Sequence, residues 1–184
     1  MRISIDMTDG AADYPEDGGF VHFGEADNNV RSDRVLAVAE LFGRCGIPYK
    51  INRDMIRGMW FKYLCNVGEN MTSALLGLTF LDYEGNEYAN RIRHEAEWEV
   101  IRVAEKKGIR LTQEDIEKQD AILLKQRPGA RPSTLRDLEK GKKTEADLFS
   151  GTLCRMAEEL GVDAPVNRML YWGVRAREYQ LGIR

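Results

Sequence analysis

The sequence predicts a mainly α protein, a helical bundle preceded by a short N-terminal β-hairpin or strand pair. Three observations carry that reading. From Ser32 onward, apolar residues recur at helical spacing between capping residues and glycine stops. Two-residue alternation is confined to the first two dozen residues, in Arg2-Ile3-Ser4-Ile5-Asp6-Met7 and Gly19-Phe20-Val21-His22-Phe23. The chain has 184 residues, enough to bury about 70% of its unfolded surface and to fold without disulfide or metal.

The two alternating stretches flank an acidic, Gly-rich segment from Asp9 to Gly18. Two strands alone are marginal, so they call for a partner sheet. Nothing after Gly24 reads as a strand of any length. The expected division is therefore a β appendage over 1–24 and a helical domain over 25–184. Ser32 caps a first helix through Val35, Leu36, Val38, Ala39, Leu41 and Phe42, which stops near Gly46. Asn52 is read as the cap of a long second helix from Asp54 to about Leu76. A third runs from about Asn86 to Lys107, with Trp98, Ile101, Val103 and Ala104 on its apolar side and Gly108 at its end. Thr112 and Asp115 form an N-terminal box for a fourth, which ends before Pro128. Ser133 is read as the cap of a short helix, another spans about Glu145 to Leu160, and Pro165 opens a last helix toward Tyr179.

Composition narrows the function. With 27 basic residues against 30 acidic, the net charge of −3 disfavours nonspecific nucleic-acid binding. No apolar run approaches the roughly 20 residues of a membrane span, and the N-terminus has no signal-peptide pattern. Cys45, Cys65 and Cys154 are far apart, odd in number and without a C-x-x-C, which points to reduced thiols in a cytoplasmic protein. With only His22 and His94, no transition-metal site is expected.

The second helix carries Lys62, Asn66 and Asn70 at intervals of four, one above the next on a single face. Glu69 and Ser73 share that arc, while Trp60, Leu64, Val67, Met71, Leu75 and Leu78 fall on the opposite one. An amphipathic helix needs a polar face, and this could be no more than that. The kind of polarity argues otherwise. Elsewhere the chain decorates outer faces with Lys, Arg and Glu, as in Arg102, Glu105, Lys106 and Lys107. Asparagine is a poor interior helix former, because its amide competes for backbone hydrogen bonds. A lysine with two amides in register suits a carbonyl oxygen that must be polarised.

A second cluster runs from Arg131-Pro132-Ser133-Thr134 through Gly141-Lys142-Lys143-Thr144-Glu145-Ala146-Asp147 to Ser150-Gly151. Taken singly, each piece is ordinary: a serine cap, an acidic residue favoured in a first helical turn, and a diluted basic face.

The order and spacing of these pieces resemble the C-terminal domain of the ketopantoate reductases (2-dehydropantoate 2-reductases). The shared text is Phe23-Gly24-Glu25, Gly46-Ile47, Trp60-x-Lys62-x-x-x-Asn66-x-x-x-Asn70 with Ala74-Leu75-x-Gly77, Glu99-Val100 with Ala104 and Gly108, the block from Pro132-Ser133 to Gly151, and Pro165-x-Asn167 with Leu170-Tyr171. It spans roughly residues 20 to 175. The resemblance implies a helical bundle of the 6-phosphogluconate-dehydrogenase C-terminal-like type and the NADPH-dependent reduction of a 2-oxo acid in pantothenate biosynthesis. It implies Lys62 as general acid, Glu145 as the carboxylate that orients it, and Asn66, Asn70 and Ser133 as substrate-binding residues.

Two positions depart from the family's pattern: Phe80 stands where some relatives place an asparagine, and Thr134 where methionine is usual. A larger departure concerns the cofactor. Relatives open with a Rossmann domain carrying G-x-G-x-x-G, whereas no two of the 17 glycines here stand two apart. NADP(H) is thus expected for the complete enzyme, with no binding motif in this chain and a separate or missing Rossmann domain as partner. The chain alone is expected to be inactive. The strands near Met1 read as a remnant of the nucleotide domain's sheet. A homodimer is expected, because the long second and third helices carry apolar surface beyond what one bundle covers. The alternative is a non-catalytic helical dimerisation or binding module derived from the same family.

Overall fold

A computed structural model describes residues 6–8, 11–13 and 19–183. The expected strand residues Arg2 to Ile5 lie outside the described residues, as does most of the Asp9–Gly18 connection. The chain divides into two compact units, Met1–Met59 and Trp60–Arg184.

In the first unit β1 (Asp6–Thr8) pairs antiparallel with β2 (Ala11–Asp13), Met7 opposite Ala12. The strand expected around residue 21 is β3 (Val21–Phe23), and its partner is one that sequence reading passed over. That partner is β4 (Tyr49–Ile51), parallel to β3 with Val21 opposite Tyr49. Three residues are too few to display alternation, so β4 is visible only through its pairing. The crossover between them is α1 (Asp33–Arg44), whose Val35 amide donates to the Ser32 hydroxyl as expected of an N-cap. Phe23, Phe42 and Tyr49 form a ring cluster with centroids 5.3–5.9 Å apart. At α2 (Met55–Cys65) the cap differs from expectation. The Arg57 amide donates to the Asp54 carboxylate at 2.8 Å, while the Asn52 side chain is engaged by His22 at 2.7 Å.

The second unit is helical throughout. The long second helix is interrupted: α2 gives way to a π-helical turn, Asn66–Asn70, before α3 (Met71–Leu76) ends at Gly77 with φ 75°. There follow α4 (Glu87–Lys106), capped by Asn86, and α5 (Gln113–Leu123), opened by the expected Thr112–Asp115 box. Next come α6 (Ser133–Glu139), a second π-helical turn at Asp147–Gly151 leading into α7 (Thr152–Leu160), and α8 (Pro165–Gln180) with proline in its first turn. A side-chain-free Gly161 at φ 65° closes α7.

The core of this unit joins Leu64, Val67 and Met71 to Ala96, Val100 and Val103 of α4, Phe149 and Leu153 near the second π turn, and Leu170 and Val174 of α8. The apolar arc expected for the second helix and the apolar side expected for the third thus meet each other. At Gly173 an added Cβ would come within 2.7 Å of Leu75, so glycine permits the close approach of α8 to α3. No helix among the described residues is long and apolar enough to cross a membrane.

Candidate active site in the helical unit

Four of the five residues singled out by sequence lie on or beside the π turn and α6. Lys62 is half-buried on the last turn of α2, Asn66 half-buried at the start of the π turn, and Asn70 buried at its end. The Asn70 amide donates to the Ser133 hydroxyl at 3.3 Å, across 63 residues of sequence. Ser133 therefore differs from its expected role: it is the first helical residue of α6, Pro132 holds the cap position, and its hydroxyl faces Asn70 instead of its own backbone.

Among the described residues the Lys62 ammonium and the Asn66 amide have no hydrogen-bond or ion-pair partner. A half-buried cation and amide left unsatisfied by the protein are available to a ligand.

Glu145 lies on the neighbouring element. Its main-chain carbonyl accepts from the Leu148 and Phe149 amides at 3.0 and 2.9 Å, just ahead of the π-type bond from the Gly151 amide to the Ala146 carbonyl at 3.0 Å. The carboxylate is exposed and forms no ion pair with Lys62. The two helices are nevertheless joined, because the Tyr63 hydroxyl donates to the Phe149 carbonyl at 2.7 Å. Burial raises the Tyr63 hydroxyl well above the usual tyrosine range, so it stays a donor. Tyr171 of α8 donates to the Asp147 carboxylate at 2.7 Å, and Ser150 donates to Asn167 at 2.9 Å. The segment carrying Glu145 is thus fixed from two sides.

Not all of the predicted polar arc is open. Glu69 and Ser73 are buried and used by the protein. The Glu69 carboxylate accepts from the Gln119 amide, whose oxygen takes the Cys65 thiol at 2.8 Å. Ser73 and Tyr83 share a hydrogen bond at 3.0 Å, and the Tyr83 hydroxyl donates to the Glu69 carbonyl at 3.1 Å. Phe80 packs with Tyr83, Ala89 and Leu123 in a satellite apolar cluster, its amide held by the Ala130 carbonyl at 3.0 Å. Thr134 is fully buried, and its hydroxyl has no hydrogen-bond partner among the described residues.

Sequence reading missed a buried charge network behind the π turn. Arg93, 2% exposed, donates to Glu97 at 3.0 and 3.3 Å and to Asn90 at 2.9 Å, pairs with Asp120, and lies 5.4 Å over the Tyr83 ring. His94 adds a 3.1 Å contact to Asp120. A cavity of about 280 Å³ opens beside this network, lined by Tyr83, Asn90, Arg93, His94, Asp120 and Leu123. None of the predicted site residues lines it.

One guanidinium serves two carboxylates, and the deeper one yields. Desolvation pushes Glu97 up to about 8 against the pull of Arg93, with Asp120 and Glu69 adding repulsion. Asp120 is desolvated too, yet His94 and Arg93 together hold it below the ordinary carboxylate range. Because Glu97 binds its proton more tightly when folded, its stabilising contribution is complete below about pH 4.5 and is lost as pH rises through about 8. We therefore expect Tm to fall between pH 5 and 8, and Glu97→Gln to flatten that slope. A Glu97→Gln profile parallel to the parent's would contradict it.

The network and the polar row both belong to a helical unit whose sequence has known counterparts. A profile described as ketopantoate reductase PanE/ApbA C terminal matches residues 54–178. The chain belongs to the ketopantoate reductase family. All five predicted site residues fall inside the matched segment. The 2-dehydropantoate 2-reductase of Pyrobaculum aerophilum is 31% identical over 146 residues, covering 78% of this chain and 51% of that protein. Its counterpart in Pyrococcus horikoshii is 29% identical over 150 residues, 80% of this chain and 49% of the relative. This ketopantoate reductase-family chain thus spans about half the length of the curated relatives it matches.

Solved structures bear out the mainly α fold. A dimeric ketopantoate reductase from Staphylococcus aureus superposes with TM-score 0.85 at 18% identity, over 99% of this chain and 61% of that one. D-Mandelate dehydrogenase, solved with NADH and anilino(oxo)acetate, gives 0.69 at 20% identity, over 83% and 85%.

The βα turn in this family member lacks the G-x-G spacing that lets a backbone approach a dinucleotide's pyrophosphate. The turn after β3 instead carries the Glu25 carboxylate, held by Ser32 at 2.9 Å and Arg34 at 2.6 Å.

Proposed function

We propose that this chain is the substrate-binding and proton-donating part of a 2-oxo-acid reductase of the 2-dehydropantoate type. The observation that carries the proposal is the Asn70–Ser133 contact at 3.3 Å, with the unpartnered Lys62 and Asn66 on the same helix. Reduction of a 2-oxo acid requires a proton at the carbonyl oxygen as an electron pair reaches C2. Lys62 delivers that proton, and its charge polarises the carbonyl beforehand. Asn66, Asn70 and Ser133 bind the carboxylate and hydroxyl ends of the substrate. Glu145, exposed on the neighbouring element, orients the ammonium once substrate is bound. The hydride is the chemistry of NADP(H), which on this reading is held by a nucleotide-binding domain to whose sheet β3 and β4 belong. The β3–α1–β4 crossover is the connection such a parallel sheet uses.

Fusion to the nucleotide-binding half of a relative tests this reading. The fused protein oxidises NADPH in the presence of a 2-oxo acid, and the chain alone does not. A fusion that binds NADPH yet reduces none of several 2-oxo acids would favour the non-catalytic module.

Self-association is part of the proposal, and the exposed apolar residues of α8 offer the surface for it. The apolar residues Val100, Val103 and Ala104 of α4 face the core. On α8, in contrast, Met169, Trp172 and Tyr179 are 58%, 63% and 85% exposed at helical spacing. A second copy meeting this stripe forms the homodimer. Light scattering should report a dimer for the parent and a monomer for Trp172→Glu; an unchanged mass would exclude α8 as the contact.

A further inference from the structure

We propose that Glu97 is a positioning residue for the substrate-binding amides of Asn66 and Asn70, acting through the π-helical turn against which its carboxyl is packed. The inference rests on the substrate-binding reading above.

Gly68 lies midway between the two asparagines, two residues from each, and so on the side of the helix away from both. Its backbone is helical, so glycine is not required for conformation. It is required for space. A Cβ at Gly68 would overlap the Glu97 side chain, within 2.7 Å of its carboxyl carbon. The Glu97 carboxyl therefore stands where the turn's own side chain would be, and presses on the back of the segment that presents Asn66 and Asn70.

A π turn carries one residue more than an α turn and persists where its surroundings fix it. Here the surroundings are polar, which is costly. Glu97 and Glu69 are both buried, and burying carboxyl groups disfavours folding unless each is paired. Apolar packing would serve stability at less cost. Each polar group instead contacts the turn or braces one that does. Arg93 holds Glu97 from α4, Tyr83 takes the Glu69 carbonyl, and Gln119 from α5 spans the Glu69 carboxylate and the Cys65 thiol. Arg93 in turn is fixed by Asp120 and Asn90. This array sets the turn's register, and with it the spacing between the amides of Asn66 and Asn70.

The test uses the full chain, with pantoate as the 2-hydroxy-acid probe, and follows the assigned side-chain NH2 signals of asparagine by NMR. In Glu97→Ala, folded by circular dichroism, the Asn66 and Asn70 signals move while those of Asn86 and Asn167 stay, and Kd for pantoate rises about tenfold or more. Glu97→Gln, which keeps the shape, restores Kd to within about threefold of the parent. If Glu97→Ala fails to fold, Glu97→Asp carries the same expectation, because it withdraws the carboxyl from Gly68 by one methylene. Unmoved Asn66 and Asn70 signals in a folded Ala or Asp variant overturn the proposal. A parent chain that does not bind pantoate contradicts the functional reading alone, since the NH2 signals of the ligand-free protein still decide the positioning role.

Discussion

Replacing Lys62 with alanine lowers kcat for 2-oxo-acid reduction by about 10²–10⁴-fold in the fused enzyme, the usual worth of a positioned general acid. The structure separates this loss from a folding defect. Lys62 is half-buried and makes no hydrogen bond or ion pair among the described residues. Its removal therefore leaves stability within about 0.5 kcal/mol of the parent, as for other side chains without partners. Asn66, Asn70 and Ser133 remain, so KM changes far less than kcat. Lys62→Arg distinguishes the two duties of the residue. Arginine keeps the charge that polarises a carbonyl, but does not release a proton near neutral pH. It should recover substrate binding and little of the rate. Full recovery by arginine would reassign the residue to electrostatics alone.

Glu99→Ala is expected to cost about 3 kcal/mol of folding free energy, because a buried donor left without its acceptor costs about 1–3 kcal/mol. The Glu99 carboxylate is 1% exposed and accepts from the Val166 amide at 2.9 Å, the Asn167 amide at 2.8 Å and the Asn167 side chain at 2.7 Å. A negative group there also meets the positive end of the α8 dipole. Alanine leaves those donors buried without an acceptor. The loss extends further, because the Asn167 side chain donates to the Ala96 carbonyl at 3.0 Å and accepts from Ser150 in the second π turn. Urea unfolding should show the lower midpoint, with Glu99→Gln falling between parent and alanine. A loss below about 1 kcal/mol would mean that α8 is held by packing alone.

The helices were legible because their signals are local. Ser32 and the Thr112–Asp115 box stand where caps were expected, α4 starts beside Asn86, and Gly108 and Gly161 end α4 and α7. Asn52 misled because a capping residue type was available two positions before Asp54, which performs the capping. Both π turns were invisible to a reading at 100° per residue. Glycine inside a strong helical pattern was the signal that could have found them: Gly68 makes room for Glu97 and Gly151 for the Tyr171 ring, 3.1 Å from an added Cβ. The row of Lys62, Asn66 and Asn70 was read correctly as a shared helix, but its neighbours Glu69 and Ser73 were not separable from it. Their burial depends on Gln119 and Tyr83, residues contributed by distant segments that no spacing rule connects to the row.

The network of Arg93, Glu97 and Asp120 was hidden for the same reason. An i, i+4 pair of Arg and Glu on a helix ordinarily marks a solvated face. Only the packing of α4 against the π turn turns it inward.

The most direct test of the central claim is an NMR titration of the full chain with 2-dehydropantoate. Backbone and side-chain signals of Lys62, Asn66, Asn70, Ser133 and Glu145 should shift together with one dissociation constant, and Asn66→Ala should weaken all of them. Saturable shifts elsewhere, or none at millimolar ligand, would contradict the assignment of this helical unit as the substrate site.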